Sequence, residues 1–195
     1  MGTTQREGAE AKNGPRIRHV PPGPRNETGV CRTALKWLRE VPITPGFPDE
    51  RTTTVTPHQI DLVQTSFEKV APIADTAAAL FYGRLFEIDP STRPLFRNDL
   101  RRQGAMLMQT LGLAVRHLHD PTPVLGAVQA LGVRHVGYGV TEAQYDSVGA
   151  ALLCTLGQGL GAAFTAEVEA AWAATYEVLA GVMRAAAASS QTQSA

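Results

Sequence analysis

Histidine is the residue type in this chain best suited to hold a metal, because a neutral imidazole offers one ring nitrogen to the metal while the other bonds elsewhere. There are five histidines. His19 falls in a proline-rich stretch, and His58 sits in the first turn of an expected helix. His117 and His119 stand at a helix end ahead of Pro121, where a positive side chain complements the helix dipole. Those four read as surface or capping residues. His135 differs: it ends a short apolar helix, with Leu131, Val133 and Val136 around it, just before a turn broken by Gly137 and Gly139. Spacing alone leaves it open between a satisfied core imidazole and a ligand. Other chemistries lack their parts. The chain has no GxGxxG after a strand, no Walker loop and no HExxH. Ser66, Ser91 and Ser147 carry no nucleophile-elbow motif, and no paired carboxylates interrupt an apolar face. Cys31 and Cys154 form neither a metal-ligand spacing nor a disulfide framework.

The elements that must position His135 read as helices throughout. Thr56-Pro57-His58-Gln59 is helix-start grammar, with Thr as N-cap, Pro in the first turn and Gln three residues on. Ile60, Val63, Phe67 and Val70 follow at helical spacing, and Pro72 ends or restarts the helix. A second helix carries Ala77, Leu80, Phe81 and Leu85 to a stop at Asp89-Pro90, and a short turn spans Ser91 to Phe96. The next runs from about Asn98 to His117, and another opens at Pro121 and Pro123 and continues through Leu131. Thr141-Glu142-Ala143-Gln144 repeats the capping box; Gly157, Gly159 and Gly161 end that helix; Thr165 begins the last one. No stretch alternates with period two, so strands are not expected. The class is all-α, with six or seven helices. An antiparallel bundle and other helical folds both fit that pattern.

Composition bounds the rest. Residues 1–53 carry seven prolines among glycines and read as a disordered or loosely structured N-terminal extension, in which only Thr33 to Val41 has amphipathic character. Residues 54–188 form one domain, and 189–195 a polar tail. Formal net charge is zero, which gives no field toward nucleic acid or membrane. No apolar run approaches the roughly 20 residues that span a bilayer. The polar N-terminus does not resemble a signal peptide, and Arg6 stands where a myristoylation signal has Ser or Thr. A cytoplasmic protein without membrane insertion or nucleic-acid partner is expected.

Three stretches together resemble the globin family, most closely bacterial single-domain hemoglobins and the heme domain of flavohemoglobins. They are FYGRLFEIDPSTRPLF (Phe81 to Phe96), RRQGAMLMQTLGLAV (Arg101 to Val115) and LGVRHVGYGVTEAQYDSVGAALL (Leu131 to Leu153). The resemblance covers about Thr54 to Ala188 and implies a globin fold of six to eight helices around a heme pocket, with heme b as the iron cofactor. His135 stands at the position of the axial iron ligand, and Phe96 where the family packs a phenylalanine on the heme. Tyr82, Gln103 and Leu107 stand at the distal positions facing bound ligand, with Tyr82 and Gln103 the candidates for catalysis. Arg134 could pair with a heme propionate or simply be exposed, and Arg102 is a weaker candidate for the same role. Tyr145 matches a tyrosine that supports the axial histidine. The glutamate that commonly joins it falls near Ala187, and no acidic residue follows Glu177. Without that carboxylate His135 is expected to behave as a neutral imidazole, a weaker electron donor.

The resemblance carries two functional expectations. One is tight binding of oxygen and conversion of nitric oxide to nitrate, with O2, NO or CO as ligands. Dioxygen gains partial negative charge on binding, and Tyr and Gln both bring hydrogen-bond donors. The chain ends soon after its last helix, so turnover would call on a separate reductase. The alternative is oxygen storage, delivery or sensing without turnover.

Overall fold

Thr56 starts the first helix by reciprocal capping: Gln59 Oε1 accepts from the Thr56 backbone N–H at 2.9 Å, and Thr56 Oγ1 accepts from the Gln59 N–H at 3.3 Å. This arrangement comes from a computed structural model that describes residues 55–97 and 99–192. The readings placed on residues 1–53, including His19, Cys31 and the Thr33 to Val41 segment, lie outside the described residues.

Six α-helices follow in order among the described residues: α1 Pro57–Val70, α2 Ala74–Ile88, α3 Leu100–Arg116, α4 Thr122–Gly137, α5 Glu142–Leu160 and α6 Ala166–Thr192. Short 3-10 turns join some of them, at Ala71–Ile73, Pro90–Leu95 and Gly161–Ala163. Pro72 therefore restarts the chain through a tight turn. The described residues contain no strand.

Two helices run further than their sequence suggests. α4 continues past Leu131 to Gly137, so that His135 lies in its last turn. The Tyr138 N–H reaches back to Arg134 O at 3.1 Å, and Gly139 then reverses the chain at φ 77°. α6 runs on to Thr192, so the polar residues from Ser189 extend the helix. They do so by turning their hydroxyls onto it: Ser189 and Thr192 donate to Ala185 O and Ala188 O at 3.0 and 3.1 Å. In α5, Gly157 and Gly159 remain helical, and the end comes at Gly161, with φ 54°.

The core forms where α1, α5 and α6 meet. Trp172 is fully buried, tilted against Phe67, with its indole N–H donating to Ser66 Oγ at 2.9 Å. Val63, Leu153, Cys154 and Leu156 pack in the same cluster, so Cys154 serves as a small core residue. A second cluster joins α2 to α5 through Phe81, Tyr82, Leu85 and Ala151. Polar side chains tie the turn after α2 to the start of α5: Ser147 Oγ donates to Asp89 Oδ2 at 3.1 Å, and Gln144 Nε2 to Ser91 Oγ at 3.3 Å. α2 packs on both α3 and α5, whereas α4 packs chiefly along α6.

Candidate functional site

α4 brings His135 to the interior through a close approach. Gly132, one turn earlier, lies so near α6 that a Cβ there would stand 2.7 Å from Met183 Cα. Only glycine lets the two helix backbones approach this closely. One turn on, His135 Nδ1 lies 2.8 Å from Leu131 O. A carbonyl only accepts, so Nδ1 carries the proton and Nε2 keeps its lone pair. Burial lowers the imidazole pKa, the Leu131 carbonyl opposes that, and the neighbouring Arg134 charge lowers it further. The net shift is downward, so the ring is neutral near pH 7.

His135 forms part of the wall of a cavity of about 210 Å³ enclosed by α2 to α6 and the 3-10 turn after α2. Phe81, Phe96, Leu107 and Leu111 line it from one set of elements, and Val148, Leu179 and Met183 from another. Its polar lining groups are few and partly engaged. Thr92 Oγ1 donates to Asp89 O at 2.7 Å, and Gln144 Oε1 accepts from the Thr141 N–H at 3.0 Å. The described residues contain no cluster of three or more His, Cys, Asp or Glu that could hold a metal. His135 is the one histidine among the described residues of this wall.

Of the residues singled out in the sequence, His135, Phe96, Leu107 and Tyr145 share this wall. Tyr82 does not line it. It stands one layer back, with its ring edge-on to Phe81 and Phe96 at 5.2 and 5.1 Å between centroids. Burial raises its phenol to about 12, so it remains an O–H donor at neutral pH. Gln103 is half-buried and also off the wall. The next residue, Gly104, packs against α2, where a Cβ would meet Ala78 Cβ at 2.7 Å and Tyr82 Cε2 at 3.9 Å. The turn bearing Gln103 therefore lies against the turn bearing Tyr82. Arg134 is exposed and off the wall. The remaining described histidines are peripheral: His58 is exposed, His117 Nδ1 lies 2.9 Å from Leu113 O, and His119 pairs with Asp61 at 3.7 Å.

On the His135 side, the Tyr145 ring stacks on the imidazole at 5.9 Å and 26°. The Tyr176 hydroxyl donates to Tyr145 O at 2.6 Å, which fixes that backbone. No carboxylate among the described residues hydrogen-bonds the imidazole. Instead Arg184 lies over the Tyr145 ring, 5.1 Å from its centroid. Sequence reasoning did not single out Arg184, which lies over the Tyr145 ring, or Gly132, which lets α4 approach α6. Each matters through a partner far away in the chain and carries no local motif.

Comparison with known proteins gives this geometry a context. A family model described as globin matches residues 79–183. A flavohemoprotein of Xylella fastidiosa is 30% identical over 131 residues, which is 66% of this chain and 33% of that protein. A flavohemoprotein of Bordetella pertussis is 36% identical over 107 residues, 53% of this chain and 26% of that protein. The chain thus spans a third or less of the length of these curated relatives. Among solved structures, an engineered carbene transferase from Rhodothermus marinus, described as a candidate nitric oxide dioxygenase, aligns with a TM-score of 0.66. It is 25% identical, and the alignment covers 71% of this chain and 97% of that one.

Proposed function

The chain belongs to the globin family, and from that premise we propose that its cavity holds heme b through His135, binds dioxygen tightly, and converts nitric oxide to nitrate when a separate reductase supplies electrons. The observation that carries this reading is the pinned imidazole: Nδ1 lies 2.8 Å from Leu131 O on a largely apolar cavity wall, an arrangement that leaves the Nε2 lone pair available to a metal. The fit to a porphyrin is chemical. The walls are aromatic and aliphatic, as a flat apolar macrocycle requires, and one neutral imidazole provides axial ligation. Neither cysteine stands in a Cys-x-x-Cys-His run, so the porphyrin would be held without thioether links. Bound heme supplies reversible binding of diatomic gases and, with an electron source, their redox conversion.

The chain's own residues do the rest. Phe81, Phe96 and Leu107 give the cavity an apolar lining that disfavours water. Tyr82 and Gln103 stand off the wall on its α2–α3 side, and in this reading they would turn inward to donate to a ligand that gains negative charge. Such hydrogen bonds contribute about 1.5–3 kcal/mol. Tyr82→Phe is therefore expected to speed oxygen release about ten- to a hundredfold. Stopped-flow displacement of oxygen by CO measures it, and an unchanged rate would remove Tyr82 from the role.

The overall reaction is tested by mixing the oxygenated protein with nitric oxide. Without a donor, nitrate should form once per heme; with a flavin reductase and NADH it should form many times over. A yield that stays at one per heme with the donor present would leave oxygen storage or delivery as the function. The set-back positions of Tyr82 and Gln103 favour that second reading.

A further inference from the structure

Four charged side chains gather beside Tyr145. Arg184 comes from α6, and its guanidinium carbon lies 5.1 Å from the Tyr145 ring centroid. Its Nη2 donates to Asp146 Oδ1 at 2.8 Å, its Nη1 stands 3.6 Å from Glu177 Oε2, and its Nε stands 3.5 Å from Glu142 Oε1. The Glu142 side chain is 79% exposed, so solvent screens its share. Asp146 and Glu177 are 30% and 32% exposed and the Arg184 side chain 26%, so this part of the cluster is sheltered. The Tyr145 ring thus contacts both the imidazole and the guanidinium, and the guanidinium is held by the carboxylates.

We propose that Arg184 is a positioning residue for His135: it clamps Tyr145 against the imidazole and sets a positive charge against the same ring, making His135 a weakly donating ligand. The inference rests on the reading of His135 as the axial ligand. A carboxylate on an imidazole draws its proton away and raises electron donation to a metal. A guanidinium against the Tyr145 ring acts the other way on donation, because its positive charge draws imidazole electron density toward itself and away from the metal and favours the metal state that carries the extra electron. The carboxylates hold the guanidinium in place and partly offset its field. Removing the guanidinium leaves Asp146 and Glu177 uncompensated, so the field at His135 becomes more negative while the Arg134 charge still acts on the ring. Neutralising Asp146 leaves Arg184 less compensated, so the field becomes more positive. Two variants in one cluster should therefore move the site in opposite directions, which loosened packing alone would not do.

The test uses the full heme-loaded chain with Arg184→Met and Asp146→Asn. Resonance Raman of the ferrous protein gives the iron–histidine stretching frequency, and a redox titration gives the midpoint potential. Arg184→Met should raise the frequency and lower the potential; Asp146→Asn should lower the frequency and raise the potential. Arg184→Lys, which keeps the charge but not the planar stack, should fall between wild type and Arg184→Met. Wild-type values in both neutralised variants, or shifts of the same sign in both, would overturn the proposal. If Arg184→Met does not take up heme, the direction of the Asp146→Asn shift decides alone. The axial assignment is tested separately by removing His135, so heme that stays ligated through His135 while the paired shifts fail refutes only the role of Arg184.

Discussion

Replacing His135 with glycine is expected to abolish protein ligation of the iron, and free imidazole added to the variant is expected to restore it. The expectation follows from His135 being the one histidine among the described residues that line the cavity. Removal leaves an imidazole-sized space beside Leu131 O, which had accepted the ring Nδ1–H at 2.8 Å. A diffusing imidazole finds that acceptor still in place and can present its second nitrogen to the cavity. Glycine near a helix end costs up to about 1 kcal/mol of helix stability relative to alanine. His135→Ala, which leaves a smaller gap, therefore serves as the companion variant. Ferrous and ferrous–CO absorption spectra check the outcome. Retention of wild-type coordination by both variants without imidazole would show that another residue holds the iron, and the proposed function would fall with it.

Gly132→Ala is expected to be the most disruptive single methyl in the site. The added Cβ would stand 2.7 Å from Met183 Cα and 2.8 Å from its carbonyl carbon. These are backbone atoms and cannot rotate away, so α4 and α6 must separate. Overpacking of this kind costs about 1–3 kcal/mol, and the better helix propensity of alanine returns less than about 1 kcal/mol. His135 lies one turn further along α4, and Met183 itself lines the cavity, so the separation acts directly on the imidazole. Thermal unfolding should show a midpoint lowered by several degrees, and heme transfer to excess apomyoglobin should be faster. Gly126→Ala in the same helix is the control. Nothing stands within 4 Å of a Cβ there, so it should be neutral or slightly stabilising. Equal behaviour of the two variants would mean that the α4–α6 contact does not hold the site.

What could be read from the sequence divides along the range of the forces involved. Thr56 with Gln59 and Thr141 with Gln144 announce helix starts because both capping partners lie within three residues of each other. The ends of α4 and α6 were less legible. Whether Gly137 or Ser189 stops a helix depends on where the next hydroxyl or N–H turns, as the bonds from Tyr138 and Ser189 show. At the site, family order singled out His135, Phe96, Leu107 and Tyr145, and these four line one cavity. The same order put Tyr82 beside the ligand, whereas its ring stands behind Phe81 and Phe96, because side-chain depth depends on how α2 and α3 cross at Gly104. Gly132 against Met183 and Arg184 over Tyr145 are long-range pairings that no local pattern encodes.

The seam between α4 and α6 bears on the order in which the molecule assembles. α1, α2, α3, α5 and α6 lock to one another through several pairings, whereas the imidazole-bearing helix leans mainly on one neighbour. It resembles a gate hung on a single post. The cluster around Trp172 draws on no residue of that helix, so a frame packed there without it would leave a way in for a bulky planar guest. The guest's own bond to the gate would then latch it, so that loading and final consolidation become one event.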